Sequence, residues 1–185
     1  MNRVILASKS PRRKELLELL KIPFEIIVSD IDEQIDYDND LVKEIEKLSY
    51  QKANAVFRDH PDALVIGSDT IVKIGNDVLG KPHSVEEAKQ MLRELSDNTH
   101  EVVTGVTILC KENAETFSSV ARVSFYPLSE EEIEEYVSTN EPMDKAGAYA
   151  IQGDAAKFIR CSEGDYYTIV GLPIAELYHR LKKYL

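Results

Sequence analysis

The chain is poor in the residues that would tie it to several common functions. Its 185 residues include two cysteines, Cys110 and Cys161, isolated and without metal or redox spacing. Neither a disulfide scaffold nor a thiolate metal site is expected, and a reducing, cytoplasmic setting is. The four histidines are scattered and suggest no histidine-based site. Positive charge is the scarcer sign: 22 Lys+Arg stand against 33 Asp+Glu, a net charge of −11. That balance argues against broad binding to nucleic acid or to an anionic membrane surface. No apolar run is long enough to span a bilayer. The run Val4-Ile5-Leu6-Ala7 is too short for a signal-peptide core. There is no Walker P-loop, no G-x-G-x-x-G, no repeat and no low-complexity linker. What remains, 43% hydrophobic and 30% charged residues, suits one medium domain over residues 1–185 that buries a core without disulfides.

Patterning gives an alternation of strands and helices. Residues 3–7 read as a buried strand, then Ser10 offers an N-cap and Pro11 a first helical position. Phe24 to Val28 reads as a second strand, followed by an acidic segment. The spacing of Leu41, Ile45, Leu48, Ala55 and Val56 predicts a helix from about Asp40 to Phe57. Residues 63–74 are strand-like, and Gly75-Asn76-Asp77 is a turn leading to Val78-Leu79. Ser84 with Glu87, and Ser129 with Glu132, have capping-box spacing and open two further helices, to about Leu95 and Ser138. Between them lie two strand-like runs, His100–Cys110 and Thr116–Tyr126. A strand at Lys157–Arg160, the segment GDYYTIVGLP and a last helix from about Pro173 complete an α/β fold with a mixed sheet.

Several residues sit where their chemistry is out of place. In SKSPRRKE, Arg12, Arg13 and Lys14 follow a Ser-Pro helix start, the positive end of the helix dipole, where cations are disfavoured. Either they lean into solvent or they flank an anion, which backbone N–H groups, the Ser8 and Ser10 hydroxyls and two arginine forks would hold. Lys52 falls on the apolar stripe of its helix, so it either snorkels or meets a buried anion. Asp69 interrupts the core-like run VIGSDTIV. It reads as a structural hydrogen-bonding group, a cation ligand or an activator of water. Asp30, Asp32 and Glu33 form an acidic cluster that contributes a metal-binding carboxylate or is solvated surface. Lys81 in LGKP and Gln152 in AYAIQG add a loop cation and an amide able to read a base edge. Positive groups and carboxylates together favour a phosphoanhydride with a carboxylate-held divalent cation.

Taken in order, ASKSPRRKELL, KANAV, VIGSDTIV, LGKP, VVTGVTIL, EPMDKAGAYAIQG and GDYYTIVGLP resemble the Maf family of nucleoside triphosphate pyrophosphatases over essentially the whole chain. The resemblance implies a fold like that of inosine triphosphate pyrophosphatases: a long mixed β-sheet with flanking helices, forming two lobes around a cleft. It implies metal-dependent hydrolysis of dTTP and UTP to the monophosphate and pyrophosphate, with Mg²⁺ or Mn²⁺. Alternatives are a nucleotide-binding regulator of septum formation with little turnover, or a house-cleaning hydrolase for modified pyrimidine nucleotides. By the same resemblance, Asp69 would be the proton acceptor, and Glu33 falls among the family's polar site residues; Glu33 and Asp69 are the carboxylates expected to position the metal. Ser8, Arg12, Arg13, Lys52, Thr70, Lys81 and Gln152 would bind substrate, with Arg12, Thr70 and Gln152 setting specificity. A homodimer is implied too. Two positions depart from the family pattern: Ser68, where Ala often precedes the Asp, and Thr168, where Asn is common.

Overall fold

The computed structural model describes residues 3–28, 31–36 and 39–185. Its strands and helices run β1 (Val4–Leu6), α1 (Pro11–Glu18), β2 (Glu25–Ile26), α2 (Leu41–Phe57), β3 (Leu64–Ile74), β4 (Asp77–Leu79), α3 (Val85–Leu95), β5 (Thr99–Leu109), β6 (Ala114–Phe125), α4 (Glu130–Ser138), β7 (Ile159–Glu163), α5 (Tyr166–Val170) and α6 (Ile174–Leu181). The strands form a seven-stranded sheet in the order β2-β1-β3-β5-β6-β7, with β4 pairing to β3. β1 lies parallel to β2 and β3, with Ile5 opposite Val65, whereas β3–β4 and β6–β7 are antiparallel. The sheet is therefore mixed, as the alternation of elements predicts.

The chain divides into two compact units. One comprises Met1–Thr70, Thr104–Ser119 and Gly171–Leu185, the other Ile71–Val103 and Val120–Val170. In the first, Ile5, Ala7, Ala53, Val56, Ala63, Val65 and Leu109 form one core cluster. The second buries Leu92, Leu95, Phe125, Tyr136 and Phe158 among others. There the rings of Tyr136 and Phe158 meet edge to face at 5.4 Å.

The caps explain most helix starts. Ser10, Asp40, Ser84 and Ser129 each accept a hydrogen bond from a first-turn N–H. Only Ser129 and Glu132 complete the reciprocal box; Glu87 instead accepts from the His83 N–H at 2.6 Å, one residue before the predicted partner.

Two other expectations are corrected. On α2 the buried alanine is Ala53, while Ala55 is half-buried. Residues 157–158 do not start a strand. They end a 3₁₀ turn, Asp154–Phe158, because Ala155 and Phe158, three apart, share its buried side; β7 begins after it. GDYYTIVGLP holds a short helix, α5, and Asp165 caps it by accepting from the N–H groups of Tyr167 and Thr168.

Candidate active site

Two glycines decide how close α2 lies to the sheet. A Cβ at Gly67 would stand 2.3 Å from the Ser49 carbonyl oxygen and 2.8 Å from the Ala53 nitrogen, and one at Gly105 would stand 2.7 Å from the Ile45 carbonyl oxygen. Only with both side chains absent can helix backbone rest on strand backbone. That seating brings Lys52 onto β3. Its Nζ lies 2.6 Å from Asp69 Oδ1 and 2.9 Å from Glu33 Oε1. The lysine side chain is 9% exposed and that of Asp69 12%, whereas Glu33 remains 48% exposed. Lys52 thus meets one buried anion, Asp69, and one exposed one, Glu33, rather than snorkelling. Asp69 lies in mid-strand, with β3 continuing to Ile74.

The three cations at the start of α1 part company. Lys14 stays on the surface beside Glu18 at 3.7 Å. Arg12 is half-buried. Arg13 turns inward: Nε donates to the Gly171 carbonyl at 2.9 Å, Nη2 to Thr70 Oγ1 at 3.0 Å and Nη1 to Ser8 Oγ at 3.4 Å. Loss of hydration pushes its pKa below the usual arginine value, opposed by the charge of Asp69. It stays a cation nonetheless.

Ser8, which is buried, also accepts from the Ser10 N–H at 3.2 Å. Thr70 shares a hydrogen bond with Thr104 Oγ1 at 2.9 Å, and Ser68 Oγ donates to the same Gly171 carbonyl at 3.1 Å. The guanidinium is therefore held from several sides. It acts as a fixed positive charge beside the Lys52–Asp69–Glu33 cluster rather than as a loose fork.

Of the residues singled out in the sequence, Ser8, Arg12, Arg13, Glu33, Lys52, Asp69 and Thr70 all belong to the first unit, and Lys81 and Gln152 to the second. Both of the latter are exposed, Lys81 after β4 and Gln152 in the turn before Gly153. Asp32 faces solvent and accepts from Gln34 Nε2 at 2.8 Å. Asp30 lies outside the described residues.

Sequence reasoning passed over Ser68, Thr104 and the Gly171 carbonyl. Thr104, fully buried within VVTGVTIL, carried the same signal as Asp69: a polar group in an apolar strand. Ser68 was seen only as a departure from the family pattern. A backbone carbonyl leaves no trace in residue types. Thr168, the other departure, is buried and donates its hydroxyl to Asp165 at 2.8 Å.

Among the described residues no group of three or more His, Cys, Asp or Glu could cage a metal ion. The donor set is two hard carboxylates that a single ammonium bridges. That fits a cation such as Mg²⁺ or Mn²⁺, which takes one or two carboxylates and completes its shell with substrate phosphates and water. It does not fit a tetrahedral zinc site.

A Bacillus velezensis protein named dTTP/UTP pyrophosphatase is 50% identical over 182 residues, covering 98% of this chain and 96% of its own. A Bacillus cytotoxicus protein of the same name is 50% identical over 184 residues, covering 100% and 96%. The solved structure of the Staphylococcus aureus Ham1 protein matches with a TM-score of 0.53 at 15% identity, covering 96% of this chain and 99% of that one. At that identity it supports the expected fold alone. The family described as Maf-like protein matches residues 3–184, and the chain belongs to it.

Proposed function

We propose that this protein is a nucleoside triphosphate pyrophosphatase that hydrolyses dTTP and UTP to the monophosphate and pyrophosphate. The observation that carries the reading is the buried Lys52 ammonium held between Asp69 and Glu33 beside the fixed Arg13 guanidinium. The names of relatives at 50% identity over nearly the full chain support the choice of substrate.

In the reaction a water oxygen bonds to the α-phosphorus. The bond from that phosphorus to the α–β bridging oxygen breaks, and pyrophosphate leaves with the electron pair. Asp69 accepts the proton of the attacking water. Arg12, Arg13 and Lys52 neutralise the phosphates, an effect that strengthens as charge shifts toward the leaving group. Ser8 and Thr70 hold Arg13 in place. Asp69 and Glu33 would hold the divalent cation, which supplies charge neutralisation at the phosphate oxygens. Family resemblance also supports a homodimer working in the cytoplasm. No helix among the described residues is long and apolar enough to cross a membrane.

The test is pyrophosphate release from a panel of nucleoside triphosphates with Mg²⁺ or Mn²⁺. Release from dTTP and UTP but not ATP or GTP is expected. Asp69→Asn should lower turnover about 100-fold or more while the circular dichroism spectrum is kept. Near-normal release by that variant, or no release from any nucleotide by the native chain, overturns the assignment.

A further inference from the structure

We propose that Lys52 is a built-in counter-ion that closes the two carboxylates to a free divalent cation until a nucleotide arrives, so that metal and nucleotide bind as a pair. The proposal rests on the reading of Asp69 and Glu33 as cation-holding carboxylates, and adds an exchange of partners by Lys52.

The starting point is occupancy. At 2.6 and 2.9 Å the ammonium pairs with both carboxylates at once, through a charge-assisted hydrogen bond to Asp69 and an ion pair with Glu33. A dication drawn to the same oxygen atoms would sit against the ammonium, and two like charges in a site this poorly hydrated repel strongly. The ammonium has no easy retreat. Its side chain is 9% exposed, and the helix that carries it rests on strand backbone at Gly67 and Gly105. Leaving the carboxylates without a new anion would strand a buried charge.

A triphosphate removes the obstacle. Its oxygens offer Lys52 a replacement partner within reach of a flexible four-carbon stem, and the carboxylates are then released to the cation. Arg13 cannot make this exchange, because Gly171, Thr70 and Ser8 already hold its guanidinium. The two roles divide accordingly: Arg13 is the fixed charge and Lys52 the mobile one. Because coupling is reciprocal, the cation must strengthen nucleotide binding by the same factor as nucleotide strengthens cation binding.

The experiment measures Mn²⁺ binding to the full chain by electron paramagnetic resonance. It is done alone and with a uridine triphosphate analogue carrying a methylene group in place of the α–β bridging oxygen. The analogue's own Mn²⁺ binding is subtracted, and its binding to protein is followed by calorimetry. The native chain should bind Mn²⁺ about tenfold or more tightly with the analogue bound than without it. Lys52→Met should bind Mn²⁺ without nucleotide about tenfold or more tightly than the native chain, and adding Asp69→Asn should abolish that gain.

Native chain that holds Mn²⁺ equally well with and without bound analogue overturns the proposal, and this comparison needs no variant to fold. Lys52→Met that folds but binds Mn²⁺ no better overturns it as well, and shows instead that a cation uses the exposed side of Glu33. Pyrophosphate release without Mn²⁺ coupling would sink the exchange and leave the enzymatic reading standing. A Mn²⁺ gain in Lys52→Met, with no pyrophosphate release by the native chain, would support the exchange and sink the enzymatic reading.

Discussion

His100 provides a measurable link between burial and pH. It is 1% exposed and packs edge to face against Phe125 and Tyr149, each ring centroid 5.3 Å away. Its Nε2 shares a hydrogen bond with the Tyr149 hydroxyl at 2.7 Å, while Nδ1 is buried with no partner. Burial pushes its pKa from 6.5 down to about 4, because the imidazolium would lose its hydration without gaining a carboxylate. In the unfolded chain the ring protonates near its ordinary value, so between pH 6.5 and 4 the unfolded state binds the extra proton. Stability is therefore full above pH 6.5 and falls through that window. At about 1.4 kcal/mol per pH unit the loss is on the order of 3 kcal/mol. The assay is urea unfolding at intervals from pH 8 to pH 4, followed by circular dichroism, for the native chain and for His100→Leu paired with Tyr149→Phe. The paired change leaves no stranded phenol. Carboxylates held low, such as Glu115 and Glu130, titrate in both chains and cancel in the difference. The native chain should lose stability relative to the variant as pH drops from 6.5 to 4. Parallel curves across that window would refute the argument.

Two substitutions probe the scaffold of the site. Gly67→Ala places a methyl group against the backbone of Ser49 and Ala53 and should cost at least about 2 kcal/mol in urea unfolding. It should also weaken pyrophosphate release, because α2 must back away from Asp69; unchanged stability would show that α2 is not seated there. Thr104→Val removes the hydroxyl that meets Thr70. It should cost about 1 kcal/mol and raise KM for UTP more than it lowers kcat, with Thr104→Ser restoring both; a KM equal to the native value would separate Thr104 from the placement of Arg13.

Much of the fold was legible because local signals agreed with one another. Cap, proline and apolar spacing marked α1 and α2, and the Gly75-Asn76-Asp77 turn marked the β3–β4 hairpin. The failures came where two local codes compete over a few residues. Lys157 and Phe158 alternate as a strand would, yet Ala155 and Phe158 also satisfy a period of three, and tertiary burial chose the latter. At Ser84 the capping spacing was right, but the Glu87 carboxylate found the His83 N–H first. No pattern of residue types distinguishes donors one position apart.

The site was legible as conflict before it was legible as geometry. A lysine on an apolar stripe and an aspartate inside a core strand each contradict their own element, and such contradictions mark places where another requirement has won. Neither residue identifies its partner, because 17 positions of chain and a loop separate them. Their meeting depends on Gly67 and Gly105, which the sequence presents only as glycines in strands. The arginine pair shows the reverse case. Both were visible as cations at the wrong end of a helix, but their spacing could not say that one would be immobilised. That follows from a carbonyl at Gly171, 158 positions after Arg13. The fixed guanidinium keeps positive charge beside Asp69 whatever Lys52 does. Lys52 can therefore leave the carboxylates for a phosphate without the site losing its counter-charge, and the departure of a buried ammonium becomes a step available during binding rather than an unfolding event.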